Sequence, residues 1–216
     1  WQPLQLNLPR ASVRDLVIHG DDLIVATHGR GFWVIDNITA LRQIDSQAAN
    51  SNVVLFKPAV AINVVPPSDN GTPQPRDEPL AENPPFGAMI DYYLKNTTSG
   101  SVVLEILDPS GDSIRRYSSD EKPTPVDPDT QNIPAFWRPT PQPLSGAAGM
   151  HRWVWDLRPT PPAARTGGGQ GGGGGGGGIF GGGRPTVLSG RYTVKLTVGG
   201  ETLTQALIVE PDPRVK

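Results

Sequence analysis

The chain contains no cysteine, so neither a disulfide framework nor a thiolate metal site can be built from its 216 residues. No apolar run is long enough to cross a bilayer as a helix, and the sequence therefore predicts no membrane span. The formal net charge is −2 at pH 7, which gives no indication of a nucleic-acid partner. The remaining class is a β-rich or loop-rich domain.

Motifs that carry chemistry are also missing. There is no Gly-x-Ser-x-Gly motif, and His151 near Asp156 has no credible nucleophile, because Ser145 lies in a proline-rich stretch. The glycine tract over 167–183 lacks the Lys-Ser/Thr ending of a phosphate-binding loop. Paired carboxylates of the kind that glycoside hydrolysis needs are not recognisable. We therefore expect no catalytic site and no cofactor, and a role other than that of an enzyme.

Helical patterns are almost absent, and short alternating runs dominate the N-terminal part. Three such runs, over 13–19, 23–27 and 32–36, are separated by the turns Gly20-Asp21-Asp22 and His28-Gly29-Arg30-Gly31. They predict a three-stranded meander, followed by a polar linker over 45–52. Because a lone meander is marginal in water, it resembles a piece cut from something larger.

The rest of the chain predicts a β-sandwich of the immunoglobulin or fibronectin kind, with about seven short strands between residues 53 and 210. Long loops rich in proline or glycine interrupt it over 66–86, 121–150 and 159–185, and 211–216 form a tail. Alternation predicts a core, as follows: Leu55, Ile90, Tyr92, Leu104, Ile106, Trp153, Trp155, Tyr192, Val194, Leu196, Leu207 and Val209. The predicted fold is thus all-β, with a blade-like meander in 1–52 and a sandwich in 53–210.

Several segments resemble one family. Residues 22–36, which read DLIVATHGRGFWVID, are similar to the closing blade hairpin of large bacterial β-propeller proteins related to sortilin, often labelled BNR-repeat or glycosyl-hydrolase-like. The segment 38–43, ITALRQ, matches the short stretch that follows this hairpin. Residues 83–88, 149–158 and 189–194 resemble the strands of the FlgD-like or fibronectin-like module downstream. The chain lacks the Ser-x-Asp-x-Gly-x-Thr-Trp box of the propeller blades.

The resemblance implies a non-catalytic C-terminal module of a secreted, periplasmic or cell-surface protein. Its partners would be the remainder of the parent propeller, or like subunits, and a protein or a glycan bound at the loops. Two alternatives stay open. One is a subunit of a homopolymeric extracellular filament, and the other is an accessory fragment of a propeller glycoside hydrolase.

Two residue sets are candidates for ligand or partner contacts. His28 and Arg30 lie at the tip of the predicted hairpin, where they either touch a ligand or serve the packing of blades. Trp137, beside Phe136 and Arg138 in a loop, either stacks on a sugar or packs over the sandwich.

Two further loops offer weaker candidates. Ile179 and Phe180 interrupt the glycine tract, which is either a flexible loop or an extended segment that anchors a partner through these two side chains. Asp127 and Asp129 supply the hard oxygen ligands that Ca²⁺ prefers, although their loop lacks the glycine and terminal glutamate of an EF-hand.

Overall fold

Eleven strands account for nearly all regular structure in a computed structural model that describes residue 4 and residues 6–64, 84–122, 142–160 and 185–215. The predicted all-β class is therefore confirmed. Helical structure in these residues is confined to a 3₁₀ turn over Leu41–Gln43 and a short helix α1 over Ser46–Asn50, neither of which could cross a membrane. The chain divides into unit 1, Trp1–Asn50, and unit 2, Ser51–Lys216.

Unit 1 contains an antiparallel meander. Its strands are β1 (Val13–His19), β2 (Asp22–Thr27) and β3 (Phe32–Ile35), in the order β1-β2-β3. Gly20 joins the first two strands with a φ of +60°, a left-handed conformation that glycine adopts without a steric penalty. The turn chemistry read from the sequence thus sets both reversals of the meander.

The segment after β3 folds back onto the first turn of the meander. The Ile38 amide donates to the Asp21 carbonyl, and the Arg42 guanidinium donates to the Gly20 carbonyl at 2.8 Å and ion pairs with Asp21. The predicted linker over 45–52 contains the short helix α1, which the sequence pattern did not predict. The Asp45 carboxylate accepts the Ala48 amide at 2.8 Å, as a residue that caps a helix N-terminus does.

Unit 2 is built from two sheets. The strands are β4 (Val53–Leu55), β5 (Ala61–Asn63), β6 (Ala88–Leu94), β7 (Val102–Leu107), β8 (Ser113–Ser118), β9 (Gly149–Trp155), β10 (Gly190–Val198) and β11 (Glu201–Pro211). The larger sheet has the order β5-β11-β10-β7-β8 and the smaller one β4-β6-β9. All pairs are antiparallel except β5 with β11. The predicted loop 121–150 ends early, since residues 149 and 150 already belong to β9.

One hydrophobic cluster draws on both sheets of unit 2. The smaller sheet contributes Ile90, Tyr92 and Trp155, while β7, β10 and β11 contribute rows of alternate residues. Every residue of the predicted core is buried except Trp153, which is half-buried. A half-buried amide also links the sheets, because Gln205 Nε2 in β11 donates to the Leu55 carbonyl in β4 at 3.1 Å.

Trp155 is the largest fully buried side chain and fixes the chain around the end of β9. Its indole Nε1 donates to the Arg158 carbonyl at 2.9 Å, and its ring packs edge-on against Tyr192 with centroids 5.6 Å apart. Gly87, with φ +127°, lies so close to the Trp155 carbonyl that a Cβ at this position would overlap the oxygen. The close approach of residue 87 to the Trp155 backbone therefore requires glycine at this position.

Replacement of Gly87 by alanine tests this close approach. We expect Gly87→Ala to lower the free energy of unfolding by about 3 kcal/mol or more, because backbone strain and overlap with Trp155 add together. Gly149→Ala is the matched control, since Gly149 has a similar φ of +124° but open space around its Cα. Urea unfolding of both variants measures the difference, and equal losses of stability would contradict the overlap.

Candidate functional site

The meander of unit 1 carries apolar side chains on both of its faces, although Asp15, His19 and Asp22 share the second face with them. Strand register and alternation place the side chains in two sets. One face carries Leu16, Ile18, Leu23, Val25, Trp33 and Ile35, and the other carries Val17, Ile24, Ala26, Phe32 and Val34. None of these residues is buried, and Phe32 is 79% exposed. We call these eleven residues the meander faces.

His28 and Arg30 are exposed at the turn between β2 and β3. The turn is closed by Thr27, whose amide and hydroxyl both donate to the Gly31 carbonyl, at 3.1 and 2.7 Å. The Arg30 carbonyl accepts the Trp33 indole Nε1–H at 2.9 Å. The backbone of this motif therefore builds the turn, and within the part of the chain that the structure describes the side chains of His28 and Arg30 make no ion pair.

The other predicted contact residues lie outside the described residues. These are Trp137, Ile179 and Phe180, together with the calcium candidates Asp127 and Asp129. Within the described ranges no group of three or more His, Asp or Glu side chains could hold a metal ion. The ligand and calcium hypotheses for these loops stay predictions.

A second feature lies in unit 2, where the edge strands β8 and β9 of the two sheets bring cationic and aromatic side chains together. Register places Arg115 opposite the buried Ile106 and Tyr117 opposite the buried Leu104, so both occupy core-facing positions of β8. Trp153 lies opposite the buried Ile90 in β6.

Ring contacts hold these side chains in one place. The Tyr117 and Trp153 rings meet edge to face with centroids 4.8 Å apart, and the Arg115 guanidinium carbon lies 4.8 Å from the centre of the Tyr117 ring. Both arrangements are favourable for aromatic and cation–π pairs. The Tyr117 ring therefore contacts both the Arg115 guanidinium in β8 and the Trp153 indole in β9.

The chain after β9 adds a second arginine. Asp156 Oδ1 accepts the Arg158 amide at 3.2 Å, and Leu157 between them has a φ of +56°, which a branched side chain adopts only at a cost. The Thr160 amide and hydroxyl both donate to the Ile114 carbonyl, which ties this segment to β8 beside Arg115. We call Arg115, Tyr117, Trp153, Asp156 and Arg158 the arginine–aromatic cluster.

Burial raises the pKa of the Tyr117 hydroxyl, while the nearby N–H groups of Arg115 and Trp153 and the charge of Arg115 lower it and the Asp156 charge raises it. The net direction is upward, so the hydroxyl keeps its proton at neutral pH. The influence of Asp156 also places its carboxylate within electrostatic reach of the ring.

His151 contacts the backbone before β9 and an aromatic ring of β6. Its Nε2 donates to the Ala147 carbonyl at 2.7 Å, and its ring lies 5.0 Å from that of Tyr92. The Tyr92 hydroxyl donates to the Ser145 carbonyl and accepts the Ser145 amide, at 2.7 and 3.0 Å. These contacts fasten the segment before β9 to the core.

Sequence reasoning missed the arginine–aromatic cluster. The strand over 113–117 was predicted, and its alternation puts Arg115 on the same side as Tyr117. Arginine is rarely buried unless it is paired. An arginine that alternates with an aromatic residue on the core-facing side of a strand is therefore unusual, and the sequence alone could have shown it.

Alkaline stability tests the burial of Tyr92. Burial raises the pKa of Tyr92 to about 12, although its backbone hydrogen bond with Ser145 opposes the rise. The unfolded chain loses this proton near pH 10 and the folded chain retains it, so stability falls as pH rises from 10 to about 12. In urea unfolding, the free energy of unfolding of Tyr92→Phe should decline less steeply with pH than that of the wild type, by about 1.4 kcal/mol for each pH unit. Tyr93→Phe, on the opposite face of β6, is the control, and equal slopes in both variants would contradict the assignment.

Comparison with known proteins gives no relative for this chain. No protein-family model, no curated protein and no solved structure matches it. The resemblance to propeller proteins stays a prediction, and function must be argued from the surfaces described above.

Proposed function

We propose that this chain is the non-catalytic C-terminal part of a secreted or cell-surface β-propeller protein. Unit 1 supplies strands of the last blade, and unit 2 is an immunoglobulin-like support that presents loops to a protein or glycan. The observation that carries the proposal is that both sides of the meander carry large apolar side chains, and that every residue of the meander faces is exposed or half-buried.

The physical argument concerns the environment in which such a sheet is stable. A sheet with one solvated face alternates apolar and polar residues, whereas a sheet covered on both faces is apolar throughout. Strand β2, which reads DLIVAT, is of the second kind. Other β-sheets packed against each face would bury these side chains, as neighbouring blades do in a propeller.

Two features of unit 2 support the immunoglobulin-like part. Its first, third and sixth strands form one sheet, while the fourth, seventh and eighth lie together in the other, as strands A, B, E and C, F, G do in that fold. The Tyr192 hydroxyl near the start of β10 donates to the Leu188 carbonyl at 2.7 Å, as in the tyrosine corner of these domains.

The proposal that the chain is non-catalytic is supported by the ion pairs that buried carboxylates form in unit 2. Asp91, which is buried, is held bidentately by Arg152 at 2.8 and 3.0 Å. Asp212, also buried, binds Arg214 at 2.7 Å. These groups have structural roles, and none of them faces a reactive partner among the described residues.

A second candidate function is that of a subunit in a homopolymeric surface assembly. It is favoured by the outer edges of β1 and β3, which pair with no further strand in the described residues. Unpaired edges are templates for strand addition by another chain.

Dye binding and light scattering test the role of the meander faces. We expect the wild-type chain to bind anilinonaphthalene sulfonate, and Phe32→Ser with Val34→Ser to reduce the fluorescence at least twofold, because both side chains lie on one meander face. The free energy of unfolding of unit 2 should change by less than about 0.5 kcal/mol.

The control is Leu188→Ser, which removes an equally exposed side chain, 84% accessible, from unit 2. Equal losses of fluorescence in the control and the double variant would contradict the proposal. A heavy species in light scattering that persists in the double variant would favour the homopolymeric subunit over the propeller module, since strand addition uses the edges of β1 and β3 and not these side chains.

A further inference from the structure

The core-facing row of β8 carries a half-buried arginine beside the buried aromatic side chain of Tyr117. Arg115 sits in the core-facing row of β8 across from Ile106, at one edge of the larger sheet. Trp153 lies in the corresponding edge strand of the smaller sheet, β9. The arginine–aromatic cluster therefore lines the margin of the core where β8 and β9 end the two sheets.

Three nitrogen atoms of this cluster are buried and lack an acceptor. They are Arg115 Nε, Trp153 Nε1 and Arg158 Nε. None of the three completes a hydrogen bond within the described part of the chain, although the Arg115 and Trp153 side chains lie close enough to the Tyr117 hydroxyl to lower its pKa. Most buried polar groups in proteins are hydrogen-bonded, and a buried donor left unsatisfied costs about 1–3 kcal/mol. The only other buried side-chain atom of this kind among the described residues is the Thr39 hydroxyl in unit 1.

Charge in the cluster is unbalanced. Arg115 and Arg158 supply two positive charges, and Asp156 supplies one negative charge, whose Oδ2 lies 3.9 Å from Arg158 Nη1. Arg115 has an aromatic face, and no carboxylate, as its described neighbour. The cluster thus carries one net positive charge beside three donors without acceptors.

We propose that the arginine–aromatic cluster is a binding site for a carboxylate. A carboxylate is a planar monoanion that only accepts hydrogen bonds, so it matches both the single excess charge and the planar N–H donors of guanidinium and indole. A phosphate dianion would leave a negative charge uncompensated at the margin of an apolar core. The Tyr117 and Trp153 rings would contact the carbon skeleton of the ligand.

The carboxylate could be carried by an acidic sugar or by an acidic side chain of a protein. Both sources present the same group to the cluster, and the site is independent of the role proposed for unit 1. Sodium glucuronate and N-acetylglutamate amide are suitable probes of the two sources. Glucose and N-acetylglutamine amide are their uncharged counterparts.

The test is a titration of the full chain followed by the ¹H–¹⁵N signals of the Trp153 indole and of the arginine Nε groups. We expect saturable shifts of these signals with at least one carboxylate, with a dissociation constant on the order of 1 mM, and none with the uncharged counterparts. A response to one probe alone identifies the source. Wild-type signals that do not move, or that move equally with phosphate at matched ionic strength, would overturn the proposal.

Variants localise the effect. Arg115→Met should weaken binding at least tenfold, because it removes a charged donor. It should not destabilise the fold, since it also removes a buried donor without an acceptor. Arg116→Met is the matched control, because Arg116 is adjacent in β8 but exposed, and it should bind like the wild type. Equal affinities of the two variants would also overturn the proposal.

Discussion

Burial of Trp155 between the two sheets is the interaction on which the rest of unit 2 depends. The indole cannot be fully enclosed unless its N–H finds an acceptor, and the Arg158 carbonyl supplies it at 2.9 Å. That bond turns the chain immediately after β9. It thereby helps to position Asp156 and Arg158, so two members of the arginine–aromatic cluster depend on the hydrogen bond of the Trp155 indole.

The two units differ in how far each can bury its own apolar surface. In unit 2 a single cluster draws side chains from both sheets, and Ile90, Leu104 and Leu196 are fully buried. In unit 1 only Ile38 and Ala40 are buried among the described residues. The hydrophobic contribution to stability scales with the apolar area removed from water, so the meander gains little by itself. This contrast is why unit 1 is interpreted as an element completed by other β-sheets.

Much of the strand structure was predictable because alternation and turn chemistry are local. The run over 191–198, the Gly199-Gly200 turn and the returning strand together fix a hairpin in which Leu196 pairs with Leu203. The core row of β6 followed from the same period of two. The parallel pairing of β5 with β11 could not be predicted, since those residues are about 150 positions apart in the sequence and no local signal links them.

The candidate sites were less predictable than the fold. The hairpin tip at His28 and Arg30 was found from its glycines, but the apolar character of both meander faces needed the register of all three strands. The linker prediction missed α1, because the Asp45 cap was overlooked in a polar stretch. Arg115 was missed although the alternation of β8 places it on the same side as Tyr117, whose ring it contacts.

The central claim is that unit 2 has a hydrophobic core of its own, whereas the meander of unit 1 buries too little apolar surface to be stable by itself. Native-state hydrogen exchange of the isolated chain measures this directly, strand by strand. The account predicts that amides of β6 and β10 exchange only through global unfolding, whereas those of β2, although hydrogen-bonded on both sides, exchange at least a hundredfold faster. Equal protection of β2 and β10 in the isolated chain would contradict it.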